Sequence, residues 1–270
     1  MIYRALLLIA GISLGISANA QYWFGLKGGG HFVDFDYQSR DYADSFAISP
    51  NVGYQIGAMG TYTASKRYSV HLELNYEFVR KTVKGVDTEF IKTADLCKDG
   101  GNCSKSKYHY LSLPVMLEVN FGKEPFMFYV NGGPKINVWL GSQGTVSLTE
   151  FDEFLAGEPQ DYKMVYLQSR AVGSDLHLAM TEPNILQFGV AIGAGAHFDI
   201  YDVGRVMLDV RYNFGHSNLG FNGSPDFSNW ESYYENFEYR HHILSISLGY
   251  AIPFNAQLQR KGKSTNRNSN

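Results

Sequence analysis

From residue 184 to residue 215 the chain alternates so strictly that few folds can hold it. Phe188, Val190, Ile192, Ala194, Ala196, Phe198 and Ile200 are apolar, while Gln187, Gly189, Ala191, Gly193, Gly195, His197 and Asp199 between them are small or polar. After Tyr201-Asp202-Val203-Gly204 the pattern resumes as Val206, Leu208, Val210, Tyr212 and Phe214, against Arg205, Met207, Asp209, Arg211 and Asn213. A period of two marks a strand whose faces meet different surroundings. The break with Asp and Gly marks a hairpin turn. Each strand is about twice the ~5–6 residues usual in soluble proteins. Each also meets the roughly 9–11 residues a tilted strand needs to cross a bilayer. The hairpin therefore reads as part of a membrane-spanning β-barrel.

The same pattern recurs along the chain. Further strands are expected over 21–35, 53–64, 70–78, 108–121, 126–138 and 240–254, which with the hairpin makes eight. Phe24, Leu26 and Phe32 oppose Lys27, Gly29 and His31; Val70, Leu72, Leu74, Tyr76 and Phe78 oppose His71, Glu73, Asn75 and Glu77. Pro114 interrupts the fourth strand, where a bulge is expected because proline cannot donate to the ladder. The connections alternate long and short, with the long ones at 36–51, 81–107, 141–182 and 216–239. That order is the signature of tight periplasmic turns and long external loops, with both termini periplasmic. Aromatics gather where two interfacial girdles would lie, at Phe121, Phe126 and Phe128 below and at Tyr76, Phe78, Tyr212 and Phe214 above.

The fold expected is thus all-β: an eight-stranded antiparallel up-and-down transmembrane barrel of the outer-membrane type over residues 21–254. A secreted lipocalin-like barrel would alternate in the same way, with the apolar face lining a cavity. The glycine-heavy polar face, the full length of every strand and the grouping of long loops at one end count against it.

Residues 1–20 have a basic start at Arg4, an apolar core of about twelve residues and an Ala18-Asn19-Ala20 ending, which reads as a signal peptide cleaved after Ala20. No Cys follows the apolar core, so a lipoprotein signal is not expected. No other apolar run reaches the length of a spanning helix, so any insertion must come from strands. Residues 255–270 form a polar, basic tail for which disorder is expected. The net charge of −3 lacks the basic footprint of a nucleic-acid partner. Cys97 and Cys103 lie in a Gly- and Lys-rich stretch of an exported chain, which favours a disulfide; a metal pair would need further ligands that the neighbourhood does not supply.

Several segments resemble the PorT-like outer-membrane β-barrel family of Bacteroidetes. Residues 110–115 (YLSLPV) are similar to its Y-L-x-I-P-L strand, which accounts for Pro114. Residues 128–140 (FYVNGGPKINVWL) are similar to its Y-x-x-x-G-P strand. Residues 187–196 resemble its F-G-x-x-x-G-x-G segment, residues 210–215 its R-Y-x-x-G pattern, and residues 247–250 its final strand. These motifs describe barrel construction. The resemblance implies a Gram-negative, Bacteroidetes-like outer membrane and, through one member of the family, an accessory role in type IX protein secretion.

The inward face carries Lys27, Glu73, Glu77, Glu118, Lys135, Asp199, Arg205, Asp209 and Arg211. An eight-stranded barrel has room only for its own side chains, and buried charges must be paired, so a salt-bridged plug is expected. Counting from the periplasmic ends puts Lys27 and Arg205 level with Glu73, Glu118, Asp199 and Asp209, and Lys135 and Arg211 higher, near Glu77. His71 and His197 are the candidates for a Ser–His–acid set of a lipid-modifying enzyme, but neither has a Ser or an acid at a recognisable spacing, and no catalytic residue is assigned. No cofactor or metal is implied. Outer-membrane lipid is one partner. Trp230, Tyr233, Tyr234 and Phe237 in an external loop are candidates to contact a protein or glycan; the alternative is that they fold over the barrel mouth. The function expected is non-enzymatic, a structural or interaction role through the external loops.

Overall fold

The structure, a computed structural model, describes residues 21–37, 47–49, 51–84, 103–147, 160–166, 176–180, 184–201, 203–220 and 238–254. The described residues form β1 (Gln21–Tyr37), β2 (Ala47–Ser49), β3 (Asn51–Thr63), β4 (Tyr68–Lys84), β5 (Cys103–Lys123), β6 (Phe126–Ser147), β7 (Gln160–Tyr166), β8 (Leu176–Met180), β9 (Leu186–Ile200), β10 (Gly204–Gly215) and β11 (Tyr239–Phe254). Eight of these close a ring in the order β1-β3-β4-β5-β6-β9-β10-β11, each pair antiparallel. β11 returns to β1 along its full length, Phe254 opposite Tyr22 and Tyr239 opposite Tyr37. Closure leaves no unpaired edge inside a bilayer, where an unsatisfied backbone group has no water to turn to.

Within this ring the barrel is inside out. Phe24, Leu26, Ile56, Leu72, Leu117, Ile192, Leu208 and Leu248 are exposed, while Gln55, Thr61, His71, Asn75, Ser112, Asn131, Ser245 and Ser247 are buried. A lipocalin-like barrel would have the opposite polarity, so the membrane-spanning orientation stands.

Three strands were read in sequence as shorter than they are. β4 runs on to Lys84, β5 begins at Cys103 and β6 continues to Ser147, inside stretches expected to be connections. There β2 pairs with the top of β4 and β7 with the top of β6, and β8 lies parallel to β7. The barrel wall therefore projects beyond the lipid-facing band at its external end. In this projection apolar side chains enter the interior and charges reach the outside: Val33, Val79, Val83, Tyr108, Tyr110, Trp139 and Val146 are buried alongside Lys81, Ser104 and Ser106, and Asp34, Arg80, Lys105, Lys107 and Gln143 are exposed. An apolar doublet marks the crossover on five strands: Phe32–Val33, Phe78–Val79, Tyr110–Leu111, Val138–Trp139 and Ile243–Leu244. The first doublet pairs with the last across β1 and β11, and the third with the fourth across β5 and β6.

Pro114 makes no bulge, contrary to expectation. The register is the same above it, at Leu113 opposite Ile136, and below it, at Leu117 opposite Gly132. Val115 and Met116 simply drop out of the ladder with β6, where Pro134 also lacks an N–H. The bulge lies higher: Tyr110 faces Trp139 but His109 faces Gly141, which leaves Leu140 unmatched. Gly141 sits there at φ +145°, a conformation that costs glycine little. At the periplasmic end, Ser65 Oγ accepts from the Arg67 and Tyr68 amides to close the β3–β4 turn.

Candidate functional site: the lumen and its two mouths

Successive inward side chains fill the tube in layers. At the periplasmic mouth Arg205 binds Asp199 through two N–H groups, at 2.5 and 2.9 Å, and its guanidinium lies 4.2 Å from the Trp23 ring. His197 bonds the same carboxylate through Nδ1 at 3.1 Å. Arg205, Asp199 and His197 line a vestibule of about 1040 Å³ together with the Ser65–Lys66–Arg67 turn, Asn120 and Lys123. Above it Trp23, Met59, Tyr129, Met207 and Ala251 form an apolar layer. Tyr129 fits because Gly195 faces it, where a Cβ would collide with the phenol ring.

The middle layer holds the densest electrostatics. Glu73 accepts from Lys27 Nζ at 2.8 Å, from both terminal nitrogens of Arg211 at 2.9 and 3.0 Å, and from Asn75 Nδ2 at 2.7 Å. His71 Nε2 adds a contact at 2.8 Å, and its Nδ1 lies 2.7 Å from Thr61 Oγ1. Asp209 pairs with Arg211 at 3.0 Å and with Lys27 at 3.6 Å, and accepts from Tyr129 Oη at 3.0 Å. Two cations thus face two carboxylates. One rung higher Lys135 Nζ donates to both Glu77 oxygens, at 2.7 and 2.9 Å, and Ser112 donates to one of them at 2.8 Å. A cavity of about 10 Å³ beside the middle layer has room for roughly one water.

The external mouth is closed by rings. Tyr108, Tyr110, Trp139, Tyr162 and Tyr239 are all buried. Tyr162 enters from β7, its hydroxyl 2.7 Å from Ser106 Oγ and 3.2 Å from Ser104 Oγ, over Gly144, where a Cβ would meet the ring. Lys81 is fully buried, with Nζ 4.1 Å from the Tyr239 ring centre.

The structure departs from the levels counted along the strands at Arg211 and at Glu118. Lys27, Glu73, Glu77, Glu118, Lys135, Arg205, Asp209 and Arg211 are buried, and Asp199 is half-buried. Arg211 joins Glu73 and Asp209 rather than the higher level of Glu77, and Arg205 serves Asp199 at the mouth. Glu118 is 1% exposed, and among the described residues neither oxygen has a hydrogen-bond partner. The expectation that His71 and His197 lack a nearby acid is also corrected. Glu73 and Asp199 stand two residues on, which in a strand is the same face. Thr61, His71 and Glu73 form a hydroxyl–imidazole–carboxylate row, yet all three are sealed in the lumen and two cations hold the carboxylate.

Phe78 is on the outward face as expected but is walled in, stacked on Tyr54 at 4.9 Å with Arg80 over its ring at 5.3 Å. Cys103 is buried at the head of β5. Cys97, the residues 1–20 and 255–270, and Trp230, Tyr233, Tyr234 and Phe237 lie outside the described residues.

Residues 17–220 match the family of the outer membrane protein beta-barrel domain. No curated protein sequence matches the chain. Similar solved structures include Ail, the attachment invasion locus protein of Yersinia pestis, in complex with the heparin analogue sucrose octasulfate (11% identity, 86% of this chain and 99% of that one, TM-score 0.36). Two others are the outer membrane protein OprG from Pseudomonas aeruginosa (13% identity, 89% and 100%, TM-score 0.42) and the outer membrane protease OmpT from Escherichia coli (11% identity, 87% and 97%, TM-score 0.38). Likenesses of this size assign neither role nor ligand.

Proposed function

The chain belongs to the outer membrane protein beta-barrel domain family, and from that premise we propose that it is a non-enzymatic, non-conducting barrel of the outer membrane that acts through its external end. The observation that carries this reading is the plug. Paired charges fill the middle of the lumen and rings close its external mouth, so among the described residues no wide aqueous path runs along the axis. What remains for function is the outside, where the wall extends past the lipid band into β2, β7 and β8 and continues into the long loops. The loop residues Trp230, Tyr233, Tyr234 and Phe237 are the contact candidates for a protein or glycan partner.

Planar-bilayer recording on the full-length protein tests the plug: no stable single-channel step is expected, and a steady porin-like current would sink it. Crosslinking in native membranes tests the external role. A partner captured by wild-type protein should be lost on changing Trp230 and Tyr234 to Ser, with the heat-modifiable gel mobility of the barrel unchanged. Equal capture by both forms would remove these residues from the reading.

A further inference from the structure

On the outward face of β4 and β5 the apolar surface stops abruptly. The β4 row from Tyr68 to Phe78 spans eleven residues, about 25 Å of height at ~3.3 Å per residue and ~45° tilt, which is the whole lipid-facing band. The next outward positions are Arg80 on β4 and Lys107 and Lys105 on β5, all exposed. Arg80 lies directly opposite Lys107, and Lys105 directly opposite Thr82. Like charges facing each other across a ladder are destabilising unless an anion lies between them. Among the described residues no carboxylate pairs with any of the three. The acid nearest in these rows, Asp161, stands two strands away from Lys105 and accepts from Thr145 Oγ1 at 2.8 Å.

Directly below these cations is a built floor. Phe78 stacks on Tyr54, and His109 lies 5.4 Å from Phe78 and 6.0 Å from Tyr76, near-parallel to the latter. Tyr76 Oη and His109 Nδ1 are 2.6 Å apart, which fixes both rings. Arg80 lies over Phe78, which holds its position on the wall. Three cations on an aromatic ledge, at the level where acyl chains give way to headgroups and on the side facing lipid, match an amphiphile with phosphate at its head.

We propose that Arg80, Lys105 and Lys107 bind the phosphate of a glycolipid of the outer leaflet, with Tyr54, Tyr76 and His109 supporting the sugar just below and the buried Phe78 backing Tyr54 and Arg80. The site is separate from the external partner role proposed above and stands without it. Guanidinium and ammonium groups suit phosphate by charge and by hydrogen-bond donation, and a cationic side chain near an anionic lipid surface gains from each charge.

The test titrates the detergent-solubilised full-length barrel with lipid A carrying two phosphates and reads bound lipid by native mass spectrometry. The variant Arg80→Ser, Lys105→Ser, Lys107→Ser should bind about 100-fold more weakly, and wild-type protein should bind dephosphorylated lipid A equally weakly. A control variant at the periplasmic mouth, Lys66→Ser, Arg67→Ser, Lys123→Ser, should bind as wild type. If the triple variant loses its heat-modifiable mobility, the double variant Lys105→Gln, Lys107→Gln is read instead, with roughly a 30-fold loss expected. Unchanged affinity in a folded variant, an equal loss in the control, or displacement of the lipid by inorganic phosphate would each overturn the proposal, the last by making this a site for free anions.

Discussion

Between Val70 and Glu77, β4 turns His71, Glu73, Asn75 and Glu77 inward and leaves Val70, Leu72 and Leu74 exposed; a few residues later it buries Val79 and Val83 and exposes Arg80. One continuous strand thus obeys two opposite rules. The backbone register does not change at the crossover, since Phe78 to Lys84 pair with β5 in an unbroken ladder. What changes is the solvent outside. Facing lipid, the wall must be greasy, so polar groups are confined to the lumen and must satisfy one another there. Facing water, the same wall needs an apolar interior and can expose its charges, as any soluble barrel does. The lower lumen is therefore held by ion pairs and the upper one by rings.

The sharpest way to break this contrast is to remove Glu73. Lys27, Arg211, His71 and Asn75 all converge on it, so Glu73→Ala leaves two buried cations with Asp209 as their one shared carboxylate among the described residues. A loss of roughly 3–5 kcal/mol is expected, read as a lower midpoint in urea unfolding of the barrel in liposomes. A shift below about 1 kcal/mol would mean that water reaches the middle layer. The complementary change puts a carboxylate where the strand has already turned soluble-like. Val79 is fully buried, two residues above a carboxylate at Glu77 that is native and paired. Val79→Glu should cost about 3 kcal/mol, and tolerance of it would dissolve the boundary drawn between the two lumens.

Much of this was legible in the sequence, and what was not has a physical reason. Alternation identifies every wall strand, because the bilayer imposes one rule over ten or more residues; which face is inside came from the glycine-heavy polar face, the strand lengths and the grouping of the long loops. It misses the external projection because that rule ends there: beyond Val79 charges appear on the outward face, and stretches such as 103–107, with Ser104 and Ser106 inside and Lys105 and Lys107 outside, are polar on both faces and read as loop. The apolar doublets were the available signal, though Trp23–Phe24 and Val206–Met207 make the same pattern where the lower apolar layer faces inward. Pairing in the plug was legible only in part, and failed at Arg211 and Glu118. Counting residues from the periplasmic ends assumes level strands, but barrel strands are tilted and staggered. That stagger brings Arg211 to Glu73, 138 residues away in sequence, while among the described residues Glu118 has a hydrogen bond to neither Lys27 nor Arg205.

The cysteines probe the upper region alone. Cys103 heads β5 with Lys84 opposite on β4 and Ser147 opposite on β6, at the external limit of the wall. A disulfide to Cys97 would close a short external loop and add roughly 2–3 kcal/mol at most. The double change to Ser should therefore lower stability modestly and leave the plug untouched, with folding in liposomes retained. Alkylation of both thiols in folded protein without reductant would rule the disulfide out.

The smallest effect, and the one with the opposite sign, belongs to Glu118. It is as deeply buried as Glu73, yet Ser69 and Asn131, its neighbours across the two ladders, spend their donors elsewhere: Ser69 donates to Thr63 Oγ1 and Asn131 donates to Asp209. Nothing among the described residues answers its two oxygens. An acceptor buried without a donor costs roughly 1–3 kcal/mol relative to an apolar group of similar shape. Glu118→Leu removes that cost and some packing with it, so the expected result is unchanged stability or a gain of about 1 kcal/mol. Counting along the strands would instead pair Glu118 with Lys27 and predict a loss. Combining Glu118→Leu with Lys27→Met separates the two. Lys27 reaches Glu73 and Asp209, so the double variant should show the sum of the single effects within about 0.5 kcal/mol. A coupling above ~1 kcal/mol would place the two side chains in contact and rewrite the lower layer of the plug.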